Sequence, residues 1–322
     1  MLRNLLFLAC ASSLLVGCGT TFLTKAPSAD AETAAAKGYT YPDLTKLNAK
    51  KVVLVILENT DPDHAQAKPF LESLVKSGAY LSNYYAVAHP SQPNYVALIS
   101  GSTQSVDGDS LATLDRPFLG DEEHYVDWKV YAEGYGAPDG GCDLREANKE
   151  TAYVRKHVPH LSFQYVQENE TFCRKHVSNM DDFVSAAKAH KLPSFSLVIP
   201  NLKNDAHGTT MDVLFTPHAE LLSDADKWLR ETFGDLIEDP VFRREVLLVV
   251  TFDENDTLWN LYGRDDNNKV FAVLLGDDVR GNHKEPAIYT HYDLLRTIEQ
   301  IFGIKPMASG DRNARVIAGI WK

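Results

Sequence analysis

A serine stands between two prolines in the segment His89-Pro90-Ser91-Gln92-Pro93-Asn94-Tyr95, directly before the small, apolar stretch VALISG. This stretch predicts a short helix, and backbone N–H groups at a helix N-terminus favour an anion. Glu58-Asn59 follows the apolar run VVLVIL, which predicts a buried strand. Open α/β sheets bind their ligands at the carboxyl ends of such strands. A nucleophile, an anion site and a metal-binding type of carboxylate together predict phosphoryl chemistry.

Polar residues follow two further predicted strands. Asp205 and His207 come after the strand 194–200, and Asp253-Glu254 comes after the strand 245–252. His291 opens the last predicted helix. Each residue alone has a structural explanation as a turn, a solvated loop or a helix start. Their recurrence at one end of one sheet favours a site with oxygen and imidazole ligands, which suit zinc, magnesium, manganese or calcium.

The elements that must hold these residues alternate along the chain. Strands are predicted at 51–57, 79–87, 128–133, 194–200, 245–252 and 269–276, and helices at 68–77, 92–100, 218–236 and 291–303. This alternation predicts an α/β fold, with a doubly wound, mostly parallel central sheet and helices on both faces. Residues 103–192 are less regular, and we interpret most of them as a loop-rich insertion that caps the site.

The N-terminus has the pattern of an export signal. Arg3 precedes the apolar core LLFLACASSLLVG, which is too short to span a membrane. The segment Leu15-Val16-Gly17-Cys18 fits a lipoprotein signal peptide (1–17) with lipidation at Cys18, while an ordinary secretory signal stays the alternative. Because Gly19 and not aspartate follows, we expect a bacterial lipoprotein of the cell envelope, retained at the outer membrane. Residues 18–48 predict a flexible tether and residues 49–322 the domain.

The net charge bears on the binding partner, and the cysteine content bears on disulfide formation. The formal net charge of −12 argues against a nucleic-acid partner, which requires a basic face. With Cys10 in the signal and Cys18 lipidated, Cys142 and Cys173 remain as an even pair. In an exported protein this pair predicts a disulfide, with two buried thiols as the alternative.

Seven segments resemble the phosphoesterase family of bacterial and fungal acid phosphatases and phospholipases C, a branch of the alkaline phosphatase superfamily. They are VILEN (55–59), YAVAHPSQPNY (85–95), YAEGYGAPDGGC (131–142), YVRKHVP (153–159), SLVIPNLKNDAHG (196–208), TFDEN (251–255) and THYDLLRTIEQIFG (290–303). They occur in the family's order and cover nearly the whole domain. The serine segment and Arg155-Lys156-His157 are more similar to the acid phosphatases than to the phospholipases.

The resemblance implies a role for each matching residue. Ser91 would be the nucleophile that forms a phosphoserine intermediate. Glu58, Asn59, Asp253 and Glu254 would join it at one metal or phosphate site, and Asp205, His207 and His291 would form a second. Lys156, His157 and Asn94 would bind the substrate phosphate. The superfamily's usual Asp-x-x-x-His is replaced by Asp205-Ala206-His207, with Thr209 at the fourth position. This leaves open whether one metal ion or two are bound.

These observations predict a metal-dependent phosphoric ester hydrolase, of the acid phosphatase type, that acts on phosphomonoesters. Two alternatives stay open. A phospholipase C or another phosphodiesterase could use the same site, and a surface lipoprotein could keep the fold to bind a ligand without catalysis. The sequence leaves the oligomeric state undetermined.

Overall fold

The computed structural model describes residues 42–256 and 267–322. The predicted signal peptide, Cys18 and the tether up to residue 41 lie outside the described residues. Residues 42–48, predicted as the end of the tether, belong to the folded domain. Leu44–Lys46 forms a 3₁₀ turn in which Leu44 is buried, and Asn48 donates a hydrogen bond to Asp278 at 2.8 Å.

A nine-stranded sheet forms the centre of the molecule. Its strands are β1 (Lys51–Leu57), β2 (Ala79–Tyr85), β3 (Trp128–Ala132), β6 (Val177–Ser178), β7 (Phe195–Ile199), β8 (Val246–Phe252), β9 (Lys269–Val270), β10 (Ala272–Leu275) and β11 (His283–Thr290). They lie in the order β11-β2-β10-β8-β1-β7-β3-β6, with β9 paired to β2. Two short strands, β4 (Ala147–Asn148) and β5 (Tyr153–Val154), form a separate hairpin.

Most neighbours in the sheet are parallel, as the alternating pattern predicts. β1 lies between β7 and β8 and is parallel to both. β10 runs antiparallel to its neighbours β8 and β2. The predicted strand 269–276 is in fact two strands, because pairing is interrupted at Phe271. The parallel strands β1, β2, β3, β7, β8 and β11 therefore end at the same edge of the sheet, where the predicted site residues follow them.

Helices cover the sheet in the α/β arrangement that the sequence predicts. They are α1 (Pro62–Gln66), α2 (Pro69–Ser77), α3 (Ser91–Ser100), α4 (Gln164–Glu168), α5 (Glu170–His176), α6 (Met180–Lys188), α7 (Thr210–Phe215), α8 (His218–Glu238), α9 (Pro240–Glu245), α10 (His291–Phe302) and α11 (Ser309–Arg312). α2 packs against α8, and α3 packs against α10. Within the described ranges, no helix is both long and apolar enough to cross a membrane.

The two predicted helix-ending glycines act differently. Gly303 adopts the left-handed conformation (φ +69°) that ends α10. Gly78 ends α2 with extended backbone. A Cβ atom at Gly78 would lie 2.3 Å from the carbonyl oxygen of Leu274, so close approach to β10 requires the glycine there.

The region 103–192 is only partly a loop-rich insertion. It supplies the predicted strand β3 and also β6 to the central sheet, and α6 packs against β3. Between these strands lies an irregular segment that contains β4, β5, α4 and α5. The predicted disulfide is present: Cys142 is bonded to Cys173, with the two Cα atoms 5.8 Å apart.

Candidate active site

Ser91 lies at the first position of α3, and its hydroxyl reaches two carboxylates. Its Oγ donates to Glu58 Oε2 at 3.0 Å and to Glu254 Oε1 at 3.1 Å. Glu58 follows β1 and Glu254 follows β8, so adjacent parallel strands place the two acceptors side by side. Asn59 joins the same cluster, because its Nδ2 donates to Glu254 Oε1 at 3.1 Å.

Backbone hydrogen bonds tie the strand ends together beneath the serine. The Glu58 N–H donates to the Asp205 carbonyl at 2.7 Å, and the Asp253 N–H donates to the Leu57 carbonyl at 2.9 Å. The ends of β1, β7 and β8 are therefore held in register. The predicted residues Glu58, Asn59, Ser91, Asp205, Asp253 and Glu254 are all buried at this edge.

Several oxygens in this cluster have no donor within residues 42–256 and 267–322. They are both carboxylate oxygens of Asp253, Oδ2 of Asp205 and Oδ1 of Asn59. The Ser91 hydroxyl and the Glu254 N–H lie near Asp253 and partly lower its pKa, but neither reaches hydrogen-bond geometry with it. The other Asp205 oxygen accepts from the backbone N–H groups of His207 and Gly208, at 2.9 and 2.8 Å. Buried polar atoms are normally paired, so these oxygens fit a site that binds a cation or another donor.

The pKa shifts of the cluster also indicate a site suited to a cation. Burial, followed by the charge of Glu58, raises the pKa of both Asp205 and Asp253 well above its usual range. Burial also raises the pKa of Glu254, against the opposing effect of His89. Burial would raise the pKa of Glu58 too, but His157, Lys156 and His207 outweigh it and hold that pKa at about 2. The carboxylates cannot all be charged together at low cost unless a cation is bound.

The donor set fits a divalent cation. Carboxylate, amide and hydroxyl oxygens are the ligands of hard cations, and several of them lack a protein partner here. In the described part of the chain, however, no three His, Cys, Asp or Glu side chains already converge as a formed metal site does.

Lys156 and His157 bring the irregular segment to the cluster. His157 Nε2 lies 3.3 Å from Glu58 Oε1, and its ring stacks on Tyr95 with a centroid distance of 5.1 Å. Burial lowers the pKa of His157 to about 4, although Glu58 opposes the shift. Burial would lower the pKa of Lys156, but Glu58 and Asp109 outweigh it and raise that pKa. The site therefore has a cationic ammonium and a neutral imidazole beside the acidic cluster.

Two predicted ligands have other partners. The Nε2–H of His291 donates to the Asp253 carbonyl oxygen at 2.7 Å, and its Nδ1 lies 2.9 Å from the Tyr84 hydroxyl. His291 thus fixes the end of β8 and presents no unengaged nitrogen to a metal ion. The Asn94 amide binds the backbone of Val87, Ala88 and Pro90, which shapes the turn before Ser91. The structure gives Asn94 this supporting role and not the predicted substrate contact.

Four residues that the sequence analysis missed lie at the site. Tyr95 donates to Glu58 Oε1 at 2.6 Å, His89 Nδ1 contacts Glu254 Oε2, and His218 Nε2 donates to the Asn59 carbonyl at 3.1 Å. Asp109 accepts from the Gln92 N–H at 3.1 Å and from Lys156 Nζ at 2.6 Å. His89 and Tyr95 flank Ser91 in the sequence, which is a signal that could have found them. No pattern marks Asp109 or His218.

The fold and this serine-centred acidic cluster place the chain among the phosphoesterases. Residues 63–305 match the Phosphoesterase family, and the chain belongs to that family. The resemblance stated from the sequence is thereby confirmed.

Curated relatives include acid phosphatases. The chain is 32% identical to a probable acid phosphatase of Kluyveromyces lactis, over 83% of this chain and 62% of the relative. It is 30% identical to an acid phosphatase of Aspergillus fumigatus, over 92% of this chain and 65% of that protein. A phosphatidylinositol-3-phosphatase of Mycobacterium tuberculosis is 30% identical, with coverage of 84% and 82%. The chain thus spans less than two thirds of the length of the first two relatives.

Solved structures support the fold. A protein of the alkaline phosphatase superfamily from Vibrio parahaemolyticus has a TM-score of 0.56 at 13% identity, covering 85% of this chain and 71% of its own. A phosphonate monoester hydrolase of Agrobacterium radiobacter has a TM-score of 0.55 at 12% identity, with coverage of 83% and 76%. At these identities the similarity concerns the fold alone.

Proposed function

We propose that the protein hydrolyses phosphate monoesters with Ser91 as its nucleophile. One observation carries the proposal: the Ser91 hydroxyl, at the start of α3, donates to Glu58 and Glu254 within a cluster of partly unpaired carboxylates. The names of the relatives support the choice of reaction, since acid phosphatases and a phosphatidylinositol phosphatase all release phosphate from an ester.

The proposed reaction has two steps. The Ser91 Oγ–H proton passes to Glu254, the acceptor whose pKa is raised, and Oγ forms a bond to phosphorus. The ester P–O bond breaks, and the leaving oxygen takes up a proton from solvent to give the alcohol. Water then attacks the phosphoserine and loses one proton to solvent, the P–Oγ bond breaks, Oγ regains its proton from Glu254, and inorganic phosphate is released.

Glu58, Asn59, Asp253 and Glu254, with Asp205 nearby, are the residues that would hold a divalent metal ion. Such an ion lowers the pKa of the nucleophile and neutralises phosphoryl charge when it is bound. Lys156 supplies a fixed positive charge for the phosphoryl oxygens. Buried Tyr95 donates to Glu58 Oε1 on the side away from the serine, and His157 Nε2 lies 3.3 Å from the same oxygen without a hydrogen bond. Glu58 thereby keeps the orientation in which Oε2 accepts from Ser91.

The test is the hydrolysis of p-nitrophenyl phosphate by the wild type, by Ser91→Ala and by Ser185→Ala, each with and without a chelator. Ser185 is exposed on α6 and serves as the matched control. We expect Ser91→Ala and the chelator each to abolish turnover and Ser185→Ala to retain it. Full turnover by Ser91→Ala would exclude the proposed nucleophile. Turnover of bis-p-nitrophenyl phosphate but not of the monoester would favour the phosphodiesterase.

We further propose that the protein is exported and attached to a membrane through a lipid on Cys18. The signal pattern before Cys18 supports this, and so does the Cys142–Cys173 disulfide, since disulfides persist in oxidising compartments. Labelling with radioactive palmitate in a bacterial host should mark the wild type and not Cys18→Ala. Equal labelling of both, or of neither, would contradict the lipid attachment.

A further inference from the structure

Asp109 places a carboxylate against the two groups best suited to hold a phosphoryl group beside Ser91. Its Oδ1 accepts from the backbone N–H of Gln92, the residue that follows the nucleophile, at 3.1 Å. Its Oδ2 accepts from Lys156 Nζ at 2.6 Å. One carboxylate therefore bridges the start of α3 and the ammonium of the irregular segment.

Both donors are of the kind that binds phosphate. A backbone N–H in the first turn of a ten-residue helix carries the positive end of the helix dipole. An ammonium group pairs with phosphoryl oxygens as a point charge. A phosphoryl group attacked by Ser91 would lie within reach of the neighbouring N–H, and Asp109 already occupies that donor.

We propose that Asp109 is an internal competitor of the substrate, so that a phosphoryl group binds by displacing its carboxylate from the Gln92 N–H and Lys156. This inference rests on the proposed phosphatase function and adds to it the residue that sets phosphate affinity. The same exchange in reverse lets the carboxylate replace inorganic phosphate as it leaves.

The contact is placed where such an exchange can occur. The side chains of Asp109 and Lys156 are 36% and 26% exposed, so a substrate can reach them from solvent. The Gln92 side chain, with its amide oriented toward its acceptors, donates to the carbonyls of Gly108 at 3.2 Å and Ser110 at 2.6 Å. The backbone on both sides of Asp109 is thus fixed, and rotation of one side chain is sufficient to release the donors.

The experiment measures the Kd of inorganic phosphate by calorimetry and the KM of p-nitrophenyl phosphate for the wild type, Asp109→Asn and Asp109→Ala. We expect both variants to bind phosphate about tenfold more tightly and to have a lower KM, since a charged hydrogen-bonding competitor has been removed. A gain in affinity cannot arise from misfolding, which removes the site.

Asp107→Asn is the matched control. Asp107 is exposed in the same segment and carries the same charge. The Asp107→Asn variant measures how much phosphate affinity increases when any negative charge near an anion site is removed. A gain of equal size in Asp107→Asn and Asp109→Asn would overturn the proposal.

Two further outcomes would also overturn it. Unchanged affinity would show that Asp109 does not compete, and weaker affinity would show that it positions Lys156 for the substrate. In a Lys156→Ala background we expect the gain from Asp109→Asn to shrink, because one of the two shared donors is gone. If one of these overturning results is obtained while wild-type turnover still requires Ser91, only this inference is refuted and the proposed function stands. Absence of turnover and of phosphate binding in every variant would refute the proposed function as well.

Discussion

The buried carboxylates of this molecule differ in whether their oxygens accept hydrogen bonds from the protein. At Asp226, in α8, the oxygens accept from the backbone N–H groups of Phe70 and Leu71 at 2.9 to 3.1 Å, which caps the start of α2. Asp311 likewise accepts from the N–H groups of Met307, Ala308 and Arg312. At the carboxyl edge of the sheet, both oxygens of Asp253 have no donor within the described ranges. The structural carboxylates are satisfied by backbone N–H groups, whereas both oxygens of Asp253 and Oδ2 of Asp205 at the site are not.

Glu299 is a buried carboxyl group of a third kind, which stays protonated. It lies in α10 close to Asp311, and burial, reinforced by Asp311, raises its pKa to about 9. Glu299 therefore keeps its proton at neutral pH and avoids an unpaired charge. Glu299 Oε1 also lacks a donor within the described ranges, but a protonated carboxyl group carries no charge there. The carboxyl edge of the sheet differs because several oxygens without a donor lie together, where a cation would be used. Buried Asp143, by contrast, is paired with Arg145.

The largest effect that tests this comparison is expected at Asp253. Asp253→Asn should lower kcat/KM about a thousandfold, because one charged group of the reaction centre is lost. The stability of Asp253→Asn to urea in the presence of a chelator should be equal to or greater than that of the wild type, because a buried carboxyl group that is repelled by Glu58 is removed. A clear loss of stability would place Asp253 with the structural carboxylates.

Metal binding should depend on the site carboxylate Asp253 and not on the structural carboxylate Asp226. A saturating divalent metal, tested in turn as zinc, magnesium, manganese and calcium, should stabilise the wild type by about 2.7 kcal/mol at a hundred times its Kd. Asp253→Asn should lose this gain, and Asp226→Ala should keep it. Thermal unfolding with and without EDTA measures both. An equal metal response in the wild type and Asp253→Asn would contradict the assignment of Asp253 as a ligand.

Asp226→Ala should reduce the free energy of unfolding by about 2 kcal/mol, because buried backbone N–H groups at the start of α2 lose their acceptor. kcat/KM should be unchanged, since α2 does not carry a site residue. Urea unfolding and steady-state kinetics on the same preparation check both. Loss of activity without loss of stability would reverse the roles assigned here.

The smallest effect concerns a buried base that is kept neutral. His160 stacks on Trp128 at 4.0 Å, and burial lowers its pKa from 6.5 to about 3. The unfolded chain therefore binds a proton at His160 below pH 6.5 while the folded protein does not, so stability falls as the pH decreases from 6.5 toward 3. This residue should account for about 1 kcal/mol of the loss between about pH 6.5 and 5.5.

His160→Gln should show a shallower decrease in stability over that interval, measured by urea unfolding at each pH. His190→Gln, at an exposed position, is the control and should follow the wild type. Identical slopes for all three proteins would show that His160 is not responsible for acid sensitivity.

The central strands of the sheet were predictable because buried strands have a clear hydrophobic pattern in the sequence. The runs 51–57 and 245–252 are continuous in β-branched and aliphatic residues, and they form β1 and β8 at the centre of the sheet. β11 was missed because it contains Pro286 and charged residues, as edge strands often do. Its parallel pairing with β2 is a long-range contact that no local pattern shows.

The site was predictable where residues follow strands and unpredictable where they meet across the chain. Ser91, Glu58, Asp205, Asp253 and Glu254 were located through the shared edge of a parallel sheet. Asp109 and His218 were missed because their partners, Gln92, Lys156 and Asn59, are distant in sequence. His291 and Asn94 were assigned as ligands because residue type does not reveal which atoms the protein already occupies.

The disulfide has a consequence for where the protein can be made in active form. Cys142 and Cys173 close a loop with a sequence separation of 31, and Lys156 and His157 lie within that loop. Closing a loop of this size removes about 3–4 kcal/mol of unfolded-chain entropy. The bond joins residues outside β1, β7 and β8, so we expect chains produced in a reducing cytosol to keep these strands while Lys156 is held less firmly. We expect such preparations to pass a test of folding and still underestimate the affinity for phosphate.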